Sequence, residues 1–572
     1  MLADSLTGAR WTLSPIDAAR VARLGARMGL HPVAARCLAL RGIDELAAPS
    51  WLSPDLDSLH DPLLMLGMER TLDRLARATR DGEAIRVVTD YDVDGTTSSL
   101  ILRSALQLVG NNRISWHIPH RMEEGYGFSV DAAERAAADG VKVIVTADIG
   151  VRDHAAVRRA AELGLDVLLC DHHLPMGEAV PAEAYAALCP PQKGCPYPNK
   201  SLAACGVSFK LAQALLAEHP KRDAVLRSML KLAALGTVAD VVELSTPENR
   251  AIVALGLEAL NRDTHSPGLA ALIEIAGLRT GRLDSSDLGF RLAPRINAAG
   301  RVSSAEAVID LFTTRDPERA RQRARELDGF NRERQQIQAQ MLREADRQVP
   351  KDVPDFIVVS GEEARGWHRG VAGIVAARLR DAHNRPAAVI AITASGATGS
   401  VRSLPRVHAV QALEQASELL ERFGGHAAAA GFSLDPAQIP ALRARLCEAA
   451  RRAYGPDAPV PEREVDAELG AEALDMALLR SLERLAPFGK GNPRPTLVVR
   501  QAKLSGARVL KDRHLKLDLS TPDGRTVDVM WWDGAPWRQA LSGRADLCGR
   551  LEVDTWQGAE RLRFVVEDAR VG

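Results

Sequence analysis

The 572-residue sequence predicts an α/β protein of several domains with a β-barrel at its C-terminal end. From residue 85, short apolar segments alternate with segments of helical length, which is the pattern of parallel strands joined by helices. This alternation begins again at Asp355, and after residue 465 closely spaced strands follow one another with turns between them. A chain of this length with 46% hydrophobic residues can bury several cores.

Residues 1–60 are predicted to form a helical segment, and residues 61–315 a parallel-sheet domain. The predicted strands of this domain are 85–90, 114–119, 141–148 and 166–171, and helices follow over about 201–260. Three of the four strands end in Asp. Because ligands of open α/β sheets bind beyond the carboxyl ends of the strands, we expect these acidic residues to converge on one site.

A long charged helix is predicted over 316–350, with an interruption of its pattern at Gly329. A second α/β domain follows over 351–455; its predicted elements are a strand at 356–360, a helix at 370–383 and a strand at 386–392. A Pro-rich linker at 454–464 leads to the predicted barrel over 465–572, where strands alternate with turns at the spacing of small barrels.

The composition excludes other classes of protein. No apolar run reaches the roughly 20 residues that cross a bilayer, and the first residues lack a signal-peptide pattern, so we expect a cytoplasmic protein without a membrane partner. The net charge of −1 argues at first sight against a polyanionic partner. However, 62 of the 73 basic residues are Arg, whose planar guanidinium suits phosphate, and the distribution of charge matters more than its sum.

Asp90, Asp92 and Asp94 stand at alternate positions just after the first predicted strand, in the segment TDYDVDGTT. Three carboxylates so close together repel one another strongly unless a cation neutralises them. The sequence therefore predicts a divalent metal site at this strand end.

Further candidate ligands follow other predicted elements. Asp148 ends the third strand, His172 and His173 follow the fourth, and Asp240 lies at a helix or a helix end. A mixed Asp and His set favours Mn²⁺ or Mg²⁺ over a structural zinc site. An alternative for Asp148 or Asp240 alone is that each caps a helix.

The pattern DxDGT after a strand is also the nucleophile motif of haloacid-dehalogenase-like phosphatases. In that alternative Asp92 attacks phosphorus and Asp94 acts as acid and base. It gives no role to Asp90 or to the pair His172 and His173. The combination favours a dinuclear metal site.

The motifs DYDVDG, TADIG, DHH and VADVV resemble, in order, the four motifs of the DHH phosphoesterase superfamily. RLAPRINAAGR, WHRGVAGIVAARL, GSVRS and GGHAAAAG narrow the resemblance to its bacterial single-stranded-DNA-specific exonucleases. The resemblance implies a DHH-type catalytic domain, a connecting helix, a DHH-associated domain and an oligonucleotide-binding (OB)-like barrel. The implied activity is 5′-to-3′ degradation of single-stranded DNA to mononucleotides, in DNA repair and recombination.

The resemblance implies two divalent cations, Mn²⁺ or Mg²⁺, whose ligands are Asp90, Asp92, Asp94, Asp148, His172 and Asp240. The first two would hold one cation, Asp148 would bridge, and the others would hold the second. His173 would face the scissile phosphate, so Asp148 and His173 are the implied catalytic residues. Val88 is a departure, because many relatives carry a His at that position.

The Gly-rich segment 399–402 reads as a flexible turn that can cradle a phosphate. By resemblance, Ser400 and Arg402, with Arg121, would bind the 5′-terminal phosphate. The other implied substrate-binding residues are Arg295, Asn297 and Arg301 along the nucleotide path, and His368 and His426 near the catalytic face. The alternative for Ser400 and Arg402 is a solvated surface turn, and for the path residues it is helix capping and a salt bridge.

The predicted barrel resembles an OB fold, which stacks single-stranded bases on aromatic rings. It contains Trp531, Trp532, Trp537 and Trp556, of which no more than two are expected to contact DNA. The implied partners are single-stranded DNA with a 5′ end, a single-strand-binding protein and a helicase, and the chain is expected to be a monomer. Two alternatives are a non-catalytic DHH-fold protein and a DHH enzyme that acts on oligoribonucleotides or cyclic dinucleotides.

Overall fold

The structure is a computed structural model that describes residues 5–119, 124, 127–302, 306–455, 459–541, 543–554 and 560–571, with the backbone alone for Glu178, Arg301 and Val302. The chain divides into two compact units. One contains Trp11–Asp328 and Glu464–Gly572, and the other contains Gly329–Arg463. Within the described ranges, no helix combines the length and the apolar character of a membrane span.

The catalytic sheet has five parallel strands, in the spatial order Ile114–His117, Ile85–Thr89, Val143–Ala147, Asp166–Cys170 and Ala186–Leu188. The three central strands are buried on both faces, as their nearly continuous Val, Ile and Leu content predicts. The four predicted strands are therefore confirmed. The edge strand Ala186–Leu188 was not predicted, because three residues give no periodicity.

The helices of this domain are Met68–Arg80, Val93–Leu108, Val130–Ala138, His154–Glu162, Ala204–Leu215, Arg222–Ala239, Pro247–Arg262, Pro267–Ile275, Ser285–Asp287, Ala293–Val302 and Glu306–Thr313. A π-helical turn, Leu288–Leu292, precedes the helix at Ala293. The predicted connecting helix is a single helix, Pro317–Gln348, which continues through Gly329. A Cβ at Gly329 would meet nothing within 4 Å, so this glycine weakens the helix without breaking it.

The second unit contains a five-stranded sheet in the order Arg422–Gly425, Ala429–Leu434, Gly396–Arg402, Ala387–Thr393 and Ile357–Glu362. Its helices are Arg369–His383, Ala409–Glu414 and Ile439–Tyr454. The prediction of a flexible turn at 399–402 is wrong, because this segment lies in a strand paired on both sides. The Phe432 ring covers Gly399 and would lie 2.1 Å from a Cβ at this position, so only glycine fits there.

The C-terminal barrel is confirmed. Its strands are Ala467–Leu469, Leu497–Leu510, His514–Ser520, Thr526–Trp531, Gly543–Asp554 and Arg561–Val571, and a helix spans Met476–Glu483. Pairing between Leu497–Leu510 and Gly543–Asp554 closes the barrel. Two further short strands are Arg10–Leu13 and Glu462–Val465.

The N-terminal helices share a core with this barrel. The three helices are Ala18–Met28, Pro32–Leu40 and Ala48–Leu52. Buried Leu24 and Leu38 belong to one hydrophobic cluster with Leu478 and Leu497. The two ends of the sequence therefore fold together, although more than 400 residues separate them.

Arg250, on the helix Pro247–Arg262, connects the parallel-sheet domain to the N-terminal helices and to the barrel domain. Its guanidinium lies over the Trp51 ring, 3.4 Å from the centroid, and donates to the carbonyl of Trp51 at 2.7 Å. It also donates to the carbonyls of Ala486 and Pro487, which lie between the first two strands of the barrel domain. Because Arg250 is only 1% exposed, these carbonyls replace the water that a buried cation loses.

Candidate metal centre

The parallel sheet delivers the candidate ligands to one edge. Asp90 follows the strand Ile85–Thr89 directly, and Asp148 follows its neighbour Val143–Ala147 in the same way. His172 and His173 come two and three residues after the next strand along the sheet. Because the strands run parallel, their carboxyl ends meet, as in other open α/β sheets.

Helix termini fix the next two carboxylates. Asp92 is the N-cap of Val93–Leu108 and accepts a hydrogen bond of 3.0 Å from the backbone N–H of Gly95. Asp94 accepts from the backbone N–H groups of Ala204 and Cys205, at 2.7 and 2.8 Å, at the start of the helix Ala204–Leu215. Asp94 is therefore held in place and its charge is partly offset by that helix N-terminus.

Three groups of side chains have ligand atoms within 4.8 Å of one another: Asp90, Asp92 and Asp148; Asp94, His172 and Asp240; and Asp148, His172 and His173. The Nε2 atom of His172 lies 3.2 Å from Asp148 and 3.9 Å from Asp94, and its Nδ1 lies 3.8 Å from Asp240. The structure thus brings together every residue predicted to bind metal, with Asp148 shared between two groups.

The electrostatics of these groups suit divalent cations. Burial, followed by repulsion from Asp94, Asp92 and Asp90, holds the pKa of Asp148 well above its usual value. Burial, followed by repulsion from Asp94 and Asp92, raises the pKa of Asp240 to about 8, and burial and repulsion from Asp94 raise the pKa of Asp92. So much buried negative charge requires cations, and oxygen and imidazole donors without thiolates match Mn²⁺ or Mg²⁺.

Asp171, at the end of the fourth predicted strand, completes the site, although it was not among the predicted site residues. Its carboxylate accepts the backbone N–H groups of Val151, His172 and His173 and contacts His173 Nδ1 at 2.8 Å. Although burial opposes it, these hydrogen bonds lower the pKa of Asp171 to about 2 and raise that of His173. Burial lowers the pKa of His172, which favours the neutral imidazole that binds metal.

Neither Asp148 nor Asp240 is the N-cap of a helix, so the capping alternative does not account for their side chains. Asp148 has a φ of 66° in the loop after its strand, and Asp240 stands at the C-terminal end of Arg222–Ala239. Aspartate tolerates this left-handed conformation better than most residues. Val88, where a His was expected from the resemblance, is fully buried in an apolar cluster and offers no ligand.

The residues predicted along the nucleotide path occupy or adjoin the helix Ala293–Val302. Asn297 accepts the backbone N–H of Val93 at 3.1 Å and so contacts the Asp-rich loop. Arg295 forms an ion pair of 3.0 Å with Asp328, in agreement with the alternative reading of a salt bridge. Arg121 lies outside the described residues, as does the side chain of Arg301.

The other predicted substrate residues lie in the second unit. Ser400 and Arg402 are half-buried on one strand, and burial lowers the pKa of Arg402. His368 caps the helix Arg369–His383 by accepting from the Gly370 N–H at 3.1 Å, which is a structural role. His426 is exposed after the strand Arg422–Gly425.

Three family models match the chain in succession. They are the DHH family N-terminal domain at residues 84–237, the DHHA1 domain at 355–452 and the RecJ OB domain at 465–568. The first contains the predicted metal ligands except Asp240, the second contains Ser400 and Arg402, and the third corresponds to the barrel.

Full-length relatives agree with these models. The chain is 34% identical to the single-stranded-DNA-specific exonuclease RecJ of Bacillus subtilis over 100% of this chain and 72% of the relative. It is 33% identical to the Escherichia coli protein of the same name, over 88% and 90% of the two chains. The crystal structure of Thermus thermophilus RecJ in complex with Mn²⁺ covers 98% of this chain, and 79% of its own, with 31% identity and a TM-score of 0.83. Because sequence and fold agree over almost the whole length, the chain belongs to the RecJ family.

Proposed function

We propose that this protein is a divalent-metal-dependent exonuclease that removes mononucleotides from the 5′ end of single-stranded DNA, in DNA repair and recombination. The observation that carries the proposal is the convergence of six Asp and His ligands at one edge of the parallel sheet. The relatives named single-stranded-DNA-specific exonuclease, and the Thermus thermophilus RecJ structure in complex with Mn²⁺, support it.

Two divalent cations would be held by Asp90, Asp92 and Asp148 on one side and by Asp94, His172 and Asp240 on the other. When bound, they would lower the pKa of a water molecule and offset the charge that develops on the phosphate in the transition state. Asp148 belongs to the first group, and its carboxylate lies 3.2 Å from Nε2 of His172 in the second group, so its position links the two groups.

His173 acts on the phosphate rather than as a primary ligand. Asp171 accepts a hydrogen bond from the Nδ1–H group of His173, which leaves Nε2 to face the substrate. The raised pKa of His173 favours the imidazolium, whose Nε2–H donates to a phosphate oxygen as negative charge builds up. Asp171 is a positioning residue because it sets the orientation of the ring without touching the substrate.

Two features weigh against the alternatives. A non-catalytic DHH-fold protein would have lost metal carboxylates, whereas here they are all present and close together. An enzyme for short oligoribonucleotides or cyclic dinucleotides has no need of a C-terminal barrel, which this chain has.

Ser400 and Arg402 bind the 5′-terminal phosphate, with Arg121. Residues two apart on a strand face the same side of a sheet, so the hydroxyl and the guanidinium point the same way. Gly373 leaves room for this guanidinium, because a Cβ there would stand 2.9 Å from Arg402 Nη2. A planar guanidinium gives the bidentate contact that selects a phosphate monoester.

The remaining partners are also proposals. The barrel holds the single strand beyond the metal centre, and a helicase and a single-strand-binding protein supply that strand. The protein acts in the cytoplasm as a monomer.

The central test incubates the protein and Mn²⁺ with single-stranded DNA labelled at the 5′ or the 3′ end, duplex DNA and short RNA. We expect early release of labelled mononucleotide from the 5′-labelled single strand alone, and no release with EDTA. No cleavage, or earlier release from the 3′ end, would contradict the proposal.

The 5′-phosphate site has its own test. Wild-type protein should degrade 5′-phosphorylated strands faster than 5′-hydroxyl strands, and Arg402→Lys should shrink this preference because an ammonium cannot form the bidentate contact. Arg422→Lys, an exposed position in the same unit, is the matched control. An unchanged preference in Arg402→Lys would rule out this role.

A further inference from the structure

The π-helical turn Leu288–Leu292 displays an aromatic ring to solvent. Phe290 is 82% exposed, whereas Leu288 and Leu292 on either side of it are fully buried. Arg291 anchors the turn by donating to the carbonyls of Ala276 and Gly277. The exposure of Phe290 is therefore imposed by a fixed backbone, and π-helical turns of this kind are frequent at functional sites.

Phe290 lies on the same continuous helical segment as a residue that contacts the Asp-rich loop. The π-helical turn Leu288–Leu292 leads directly into the helix Ala293–Val302, which carries Asn297. Asn297 accepts the backbone N–H of Val93 between Asp92 and Asp94. Phe290 precedes Asn297 by about two helical turns, or roughly 10 Å along the helix axis.

A second exposed apolar side chain, Val241, follows the helix against which the π-helical turn packs. Gly289 packs on Val238, because a Cβ at Gly289 would stand 3.3 Å from Val238 Cγ1. Val241, three residues further on and next to Asp240, is 59% exposed and has a φ of 57°. This left-handed conformation is strained for a β-branched residue, and such strain collects at functional sites.

A single exposed apolar side chain needs no explanation, but two on segments that lead to the metal ligands do. We propose that Phe290, together with Val241, forms a platform on which a base within the first few nucleotides of the single strand stacks. The roughly 10 Å between Phe290 and Asn297 along the helix corresponds to about three stacked nucleotides, at about 3.4 Å each.

Stacking of this kind favours single strands and tolerates any sequence. Every base has a π face, whereas a duplex hides both faces of its bases within the helix. Phe290 therefore adds a contact that selects single strands near the reacting phosphate. This inference rests on the proposed function and names a substrate-binding residue for it.

The test compares Phe290→Ala and Phe290→Trp with wild type in steady-state degradation of 5′-labelled single strands with Mn²⁺. The matched control is Leu46→Ala, because Leu46 is also 82% exposed but lies in the N-terminal segment. We expect Phe290→Ala to raise KM about tenfold or more, Phe290→Trp to keep KM near the wild-type value, and Leu46→Ala to change nothing. The unfolding midpoints of all variants should match that of wild type.

A second substrate separates stacking from other effects. On a strand whose first four nucleotides are abasic, wild type and Phe290→Ala should have the same KM, because no base remains to stack. An unchanged KM for Phe290→Ala on normal DNA, or an equal loss on the abasic strand, would overturn the inference while leaving the proposed function intact. A wild-type protein inactive on every strand would overturn both.

Discussion

Replacing Asp148 by Asn should stabilise the metal-free protein while abolishing its activity. The ligand atoms of Asp90, Asp92 and Asp148 lie within 4.8 Å of one another. At an effective dielectric constant of about 20, two unit charges at this separation repel by about 3.5 kcal/mol. Asparagine has nearly the same shape as aspartate but carries no charge, so the substitution removes this repulsion without creating a cavity.

The expected gain is smaller than the full repulsion. The raised pKa of Asp148 means that a proton already relieves part of the cost in the folded wild type. We therefore expect Asp148→Asn to raise the free energy of unfolding in EDTA by about 1 to 3 kcal/mol. Urea unfolding followed by tryptophan fluorescence measures this difference.

With Mn²⁺ present, wild type should be more stable than Asp148→Asn. The metal stabilises wild type by mass action, and the variant lacks the carboxylate shared by two ligand groups, so its midpoint should rise less. Exonuclease activity should fall by more than about 100-fold, beyond the loss typical of residues that only support a ligand, while binding of single-stranded DNA changes little.

The matched control is Asp73→Asn, on the exposed face of the helix Met68–Arg80. Asp73→Asn should change neither the free energy of unfolding in EDTA nor its increase with Mn²⁺ by more than about 0.5 kcal/mol. A lower stability of Asp148→Asn in EDTA, or an Mn²⁺-induced rise equal to that of wild type, would refute the electrostatic reasoning. An equal loss of activity and of DNA binding would argue against the shared-ligand role.

Three further predictions concern packing, pH and DNA. Arg250→Met should lower the free energy of unfolding by about 3 to 5 kcal/mol in urea, because it leaves three carbonyls without their buried cation, whereas the exposed Arg262→Met should cost less than about 0.5 kcal/mol. Burial lowers the pKa of Lys210 from 10.5 to about 8, so the unfolded chain binds a proton between these pH values that the folded chain lacks. The stability of wild type relative to Lys210→Met should therefore rise with pH across this window, by up to about 3 kcal/mol, and a difference that falls or stays constant would contradict the assignment. Trp532 is 49% exposed while Trp531 is buried, so Trp532→Ala should weaken oligonucleotide binding by about 1 to 3 kcal/mol in fluorescence anisotropy, and Trp531→Ala should lower stability instead.

Buried strands were the most predictable elements of the fold. The three central strands of the catalytic sheet are buried on both faces, so their Val, Ile and Leu runs stand out from the amphipathic segments between them. The strand Gly396–Arg402 was misread as a turn because its glycines suggest flexibility. The structure shows that Gly399 instead makes space for the Phe432 ring, which is a contact between residues 33 positions apart.

The metal ligands were predictable for a related reason. Asp90 and Asp148 follow their strands directly, so the parallel order of the strands is enough to bring them together. Asp171 was overlooked because its role depends on where its oxygens point, and only the folded loop turns them toward Val151 and His173. Its signals were its place at the end of the fourth predicted strand and as the first letter of the DHH motif.

The sequence by itself determined the catalytic sheet, the acidic residues at its edge and the family to which the chain belongs, because each depends on residues close together along the chain. Only the tertiary structure decided that the N-terminal helices share the core of the C-terminal barrel and that Arg250 links the parallel-sheet domain to both. These contacts join residues separated by about 200 to more than 400 positions. They depend on which surfaces bury one another best, and local periodicity carries no information about that choice.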